Sequence, residues 1–204
     1  MRKRLTIIGP AALVCAGIAL AAGCSDQTTG IEPAATQSTP AVEPAAHSAS
    51  LNKTLAQLRR ATAKFHTLAG AAAAGYITSI GCVDETIDGV DPAQARGMGY
   101  HLGQGPDGLG LVDDVTDLFA PEFLVYAPAE NDAELPPEER LAHARLVALD
   151  YFRPGTPDNP PPPLLGQEWT FSPPFGGWIR HIYLWGDNPD GLFSDWDPAV
   201  PLCS

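Results

Sequence analysis

Four residues of this 204-residue chain offer donor atoms suited to metal or proton chemistry. Each sits in an otherwise apolar segment: His101 in GMGYHL, Glu122 in PEFLVYAP, Asp150 in ALDYF and His181 in WIRHIYLW. Two imidazoles with one or two carboxylates form a donor set that zinc, iron or manganese accepts. A buried imidazole without a partner is costly. His101 and His181 are therefore expected on neighbouring strands facing the same side, with Glu122 or Asp150 completing a divalent-metal site. Binding there would weaken below about pH 6 as the histidines protonate. Their separation gives no ligand spacing. The plainer reading gives each histidine one hydrogen bond in the core or at a sheet edge, with the carboxylates beginning or ending strands.

A second constellation is aromatic. All four tryptophans, Trp169, Trp178, Trp185 and Trp196, fall in the last part of the chain. On a strand over 178–185, alternation puts Trp178, Arg180, Ile182 and Leu184 on one face and Ile179, His181, Tyr183 and Trp185 on the other. Trp178, Trp185 and Trp196 read either as core packing or as a stacking platform for a sugar or flat ligand. Other motifs fail on context. Gly103, Gly105 and Gly108 have G-x-G-x-x-G order, but Pro106 and Gly110 stand where a helix should start and no βαβ unit surrounds them. Asp84, Asp88 and Gly89, and again Asp187, Asp190 and Gly191, are fragments of calcium loops without the full spacing. No G-x-S-x-G, H-E-x-x-H or phosphate loop is present.

The elements that must position these residues follow from periodicity. Leu51, Leu55, Leu58, Thr62, Phe65 and Ala69 alternate steps of four and three, which predicts a helix from a cap at Ser50 towards Gly75. Thr62 fits that stripe if its hydroxyl bonds back to a carbonyl one turn earlier. Short strands are expected at 76–80, 98–102, 122–127, 146–152 and 178–185, with a helical start at 138–144 and an extended polyproline loop over RPGTPDNPPPP. One helix followed by strands predicts an α+β class: an N-terminal amphipathic helix packed on a small antiparallel sheet, rich in loops. Cys82 and Cys203 are expected to form a disulfide, since they are the thiols left in an exported chain once Cys15 leaves with the signal and Cys24 is lipidated. Two separately buried free thiols are the alternative.

The N-terminus supplies the reason to expect export. Arg2, Lys3 and Arg4 precede a mainly apolar run and then Ala21-Ala22-Gly23-Cys24, a signal with a small-residue cleavage site. The cysteine after small residues resembles the lipobox of bacterial lipoproteins, with Cys24 at the acylated position and Leu20 one place earlier than the family's usual leucine. A plain secreted protein cut nearby, or an uncleaved anchor, are the other readings. Residues 24–50, lacking aromatics, read as a disordered tether, and residues 51–204 as one domain. From residue 51 onward nine Lys and Arg face 21 Asp and Glu. That balance argues against a nucleic-acid partner and leaves the membrane, through the lipid, as the expected contact.

GMGYHL, PEFLVYAP, ALDYF, HIYLWGDNPDGLFSDWDP and the cysteine near the end together resemble a family of uncharacterised secreted bacterial proteins, in which Glu is commoner at the position of Asp150. The resemblance implies export and transfers no substrate or catalytic residue. Three function classes follow: an envelope-anchored module that binds a small molecule, a metal or an envelope protein; a metal-dependent enzyme using His101 and His181 with Glu122 or Asp150; and a structural envelope protein. The binding module is the favoured expectation.

Overall fold

The computed structural model describes residues 43–203 apart from Ala133. The signal at 1–23, Cys24 and most of the tether lie outside the described residues. Helix α1, Glu43–Thr62, begins before Ser50 and takes in the end of the stretch read as tether. Alanines favour helix there, and Pro44 falls in the first turn, where a missing N–H costs nothing. Leu55, Leu58 and Thr62 are buried, as the stripe requires. The Thr62 hydroxyl donates to the Leu58 carbonyl at 2.8 Å.

The helix does not run unbroken to Gly75. It tightens into a 3-10 turn at Ala63–His66, and Thr67 is extended at φ −115, ψ 141. The Thr67 hydroxyl then accepts from Gly70 N at 3.1 Å and caps a new short helix α2, Leu68–Ala73. This cap resets the helical phase, so Ala71 is buried where the continuous stripe had Ala69.

Six strands follow, β1 Tyr76–Asp84, β2 Gly97–Gln104, β3 Phe123–Ala127, β4 Arg145–Pro154, β5 Thr170–Ser172 and β6 Gly177–Ile182, with a short helix α3, Pro137–His143, before β4. They form one antiparallel sheet in the order β1-β2-β3-β4-β6-β5. The α+β class with helices on an antiparallel sheet holds, and β5 is a strand that sequence periodicity passed over.

The two faces of the sheet differ. On one, Tyr100, Leu102, Leu124, Tyr126, Leu146, Leu149, Tyr151, Trp178 and Ile182 pack with Leu55, Leu58, Phe65 and Ala71 of the helical layer. Burying a Leu or Phe of this kind contributes roughly 1.5–3 kcal/mol. On the other face Val83, Met98, Val125, Val147, Ala148, Tyr183 and Val200 form a smaller cluster beneath the C-terminal tail. That tail is fastened by Asp197 N donating to the Gly97 carbonyl at 2.9 Å, and it lies so close that a Cβ on Gly97 would meet Val200 O at 2.4 Å. The Cys82–Cys203 disulfide, with Cα atoms 5.5 Å apart and a sequence separation of 121, closes it. In the chain-entropy account a loop of this length adds about 4–5 kcal/mol.

Two irregularities decide which face the polar residues meet. Val125 pairs with Ala148 while Tyr126 pairs with Leu146, so Val147 and Ala148 form a bulge and both enter the tail-side cluster. Strict alternation from Leu146 would have turned Asp150 towards the helices. With the extra residue, Leu149 and Tyr151 face the helices and Asp150 faces the other way. In β2 the pairing jumps from Val83 with Gly99 to Asp84 with Gly97. Met98 and His101 then share the tail side while Tyr100 faces the helices. Bulges bend a strand and re-aim its side chains in this manner.

Candidate metal centre and apolar pocket

His101, Asp150 and His181 come together on the tail-side face, all buried, with one potential ligand atom from each lying within 4.8 Å of the others. His101 Nε2 is 3.6 Å from Asp150 Oδ2, and His181 Nε2 is 3.4 Å from Asp150 Oδ1. The two rings are edge to face with centroids 5.9 Å apart. The histidines share a side, as expected, but their strands are not neighbours: β3 and β4 stand between β2 and β6. The imidazoles meet because both reach towards Asp150 on β4, which is paired directly with His181.

The outer nitrogens both face oxygen atoms of the protein. His101 Nδ1 lies 3.1 Å from the Gly99 carbonyl, which can only accept, so Nδ1 carries the proton and Nε2 presents a lone pair. Gly99 adopts φ +115, and a Cβ there would come within 2.6 Å of Tyr126 O, so only glycine fits this position without strain. His181 Nδ1 faces Asp195 Oδ1 at 3.6 Å, and Arg180 Nη1 lies 3.6 Å from the same oxygen. These distances are charge contacts longer than hydrogen bonds. Both ring nitrogens of His181, Asp150 Oδ1 and Asp195 Oδ1 are buried without a hydrogen-bond partner. Leaving such groups unsatisfied costs about 1–3 kcal/mol each, and in native proteins an ion or water commonly accounts for them.

Electrostatics follows from burial. Desolvation, reinforced by the nearby His181, lowers the His101 pKa to about 3, so its ring is neutral. Burial raises Asp150 to about 6, with Asp195 adding to the shift and His181 opposing it. For His181 burial disfavours the charge, but Asp150 and Asp195 outweigh it and the pKa is raised. Without a metal, His181 is thus the proton carrier of the group, flanked by two carboxylates.

Glu122, the other carboxylate expected here, is not part of the cluster. It precedes β3 and, by alternation with Phe123 on the cavity side and Leu124 on the helix side, turns to the helices. Its Oε2 accepts from Phe152 N at 3.1 Å, and burial pushes its pKa up to about 8. Asp195 takes the place of a fourth polar member. It lies in the turn-rich tail, where periodicity gives no facing, and its only signal was the density of polar residues in GDNPDGLFSDWDP.

The three tryptophans do not make one platform. Trp178 packs on Phe171 and donates to Thr156 O at 3.1 Å. The alternation that placed Trp185 beside His181 ends with β6 at Ile182, and Trp185 instead meets the ring of His66 and donates to the Thr62 hydroxyl on the helix side. Trp196 packs against the tail-side cluster. The rejected calcium fragments have structural partners: Asp84 accepts from Thr86 N and Cys203 N, and Asp190 pairs with Arg96.

Above the cluster opens a cavity of about 200 Å³ lined by His101, Asp150 and His181 together with apolar side chains that include Leu109, Val112, Phe123, Phe152, Phe175 and Ile179. No family model, curated protein or solved structure matches the chain, so the chemistry of the site rests on its geometry.

Proposed function

We propose that this protein is an extracytoplasmic binding module, anchored by lipid on Cys24, whose body binds one divalent transition-metal ion through His101 Nε2, His181 Nε2 and the Asp150 carboxylate. The observation that carries the reading is the buried trio itself, with one imidazole oriented by a backbone carbonyl, the other facing a second carboxylate, and polar atoms left without partners. Metal-ligating histidines characteristically direct their other ring nitrogen to such groups. Two imidazoles and a carboxylate suit zinc, iron or manganese and leave a coordination position open. A metal would replace the proton on His181, so affinity should fall in acid.

Metal analysis of natively purified protein tests this. Close to one equivalent of zinc, iron or manganese is expected, with loss in His101→Ala, Asp150→Ala and His181→Ala. A metal-free wild type that also takes up none of the three ions would leave the trio a structural role. The anchor is tested separately: Cys24→Ala should leave the chain unprocessed or release it from membranes. Among the described residues no helix is long and apolar enough to cross a membrane.

A further inference from the structure

We infer that the cavity over the trio is the seat of a small monocarboxylate with a hydrocarbon body, whose carboxylate takes the open position on the metal. The inference rests on the metal reading above. Apart from the trio, the cavity wall is apolar throughout. At its margin Ile80, Leu109 and Phe175 remain 40%, 48% and 39% exposed, a set of large apolar side chains in contact with water that an apolar ligand would cover. A wall of this kind with its polar groups gathered at one end fits a molecule that is apolar except at one end.

Charge selects the head group. A divalent ion on the trio, with Asp195 behind His181 and Arg180 against Asp195, leaves the group one positive charge in excess of Asp150 and Asp195. Without the metal that excess is gone, because Asp150 and Asp195 cancel Arg180 and the one proton between them, and nothing draws the anion in. The carboxylate should therefore bind only to the metal-loaded protein, whereas the uncharged alcohol of the same length should be nearly indifferent to loading. Size selects the body. At about 30 Å³ for a water-sized group, a cavity of about 200 Å³ takes roughly six or seven carbons.

Calorimetric titration with hexanoate and hexan-1-ol, on zinc-loaded and metal-free protein, tests the inference. Hexanoate should bind zinc-loaded protein at least tenfold more tightly than metal-free protein, and more tightly than hexan-1-ol. Leu109→Asp and Phe175→Asp, at exposed margin positions, should each weaken hexanoate at least fivefold while zinc stays at one equivalent. One equivalent of zinc with no preference of hexanoate for the loaded form, or with both margin variants unchanged, would overturn this inference and leave the metal reading standing. A protein that takes up no zinc, manganese or iron would remove both.

Discussion

At the scale of single residues, the site depends on groups that hold the ligands as much as on the ligands. Asp195 faces His181 Nδ1, so Asp195→Asn should keep the metal stoichiometry and lower affinity about 10- to 100-fold, measured by competition with a chelator. Asparagine retains the size and one acceptor but not the charge, which isolates the electrostatic part of the effect. Glu122 makes a separate prediction. Burial raises its pKa from 4.5 to about 8, so the folded chain holds a proton across that window that the unfolded chain has released. Its stabilising contribution is complete below about pH 4.5 and is lost as pH rises towards about 8. The loss is on the order of a few kcal/mol. Glu122→Gln should remove this slope, and urea unfolding of both proteins at pH 5 and pH 8 measures it. A wild type equally stable at the two values, relative to the variant, would contradict the buried, protonated state.

At the scale of elements, periodicity was a good guide where strands and helices are regular and failed where one residue is added or one cap intervenes. The stripe through Leu55, Leu58 and Thr62 and the runs around Val125 and from Trp178 to Ile182 read correctly because a two-sided environment imposes the alternation, whereas Met98 and His101 share a side only because the pairing slips at Gly99. Asp150 could not be placed by that rule, since its facing depends on the Val147–Ala148 bulge, which has no glycine or proline to announce it. Glu122 was misjudged for the opposite reason: plain alternation from Phe123 sends it to the helices, but the partner face of Phe123 was unknown without the pairing. Asp195 was invisible because the tail is organised by turns. The bulge at Gly99 is testable, since Gly99→Ala would force a side chain into φ +115 and towards Tyr126 O. A destabilisation of about 1–3 kcal/mol and weakened metal binding are expected together, read by thermal melting and metal titration. At the helix–sheet contact, Thr62→Val leaves Trp185 Nε1 without its acceptor and should cost about 1 kcal/mol.

At the scale of the whole molecule, the sheet brings together groups from β2, β4 and β6, and the tail adds Asp195 and covers the smaller core. The Cys82–Cys203 bridge holds that tail to the edge strand β1, assisted by Cys203 N on Asp84 and by Arg140 on the Cys203 carbonyl. Replacing both cysteines by serine should lower stability by about 4–5 kcal/mol in the chain-entropy account, measured by denaturant unfolding. Beyond stability, the bridge bears on when the site becomes competent. Asp195 reaches His181 only when the tail is in place, so a reduced chain should hold zinc less tightly than an oxidised one. In a chain exported as proposed, thiols close only after leaving the cytoplasm. Metal acquisition would then be ordered after translocation, and the ion would be taken from the pool outside rather than carried across from within.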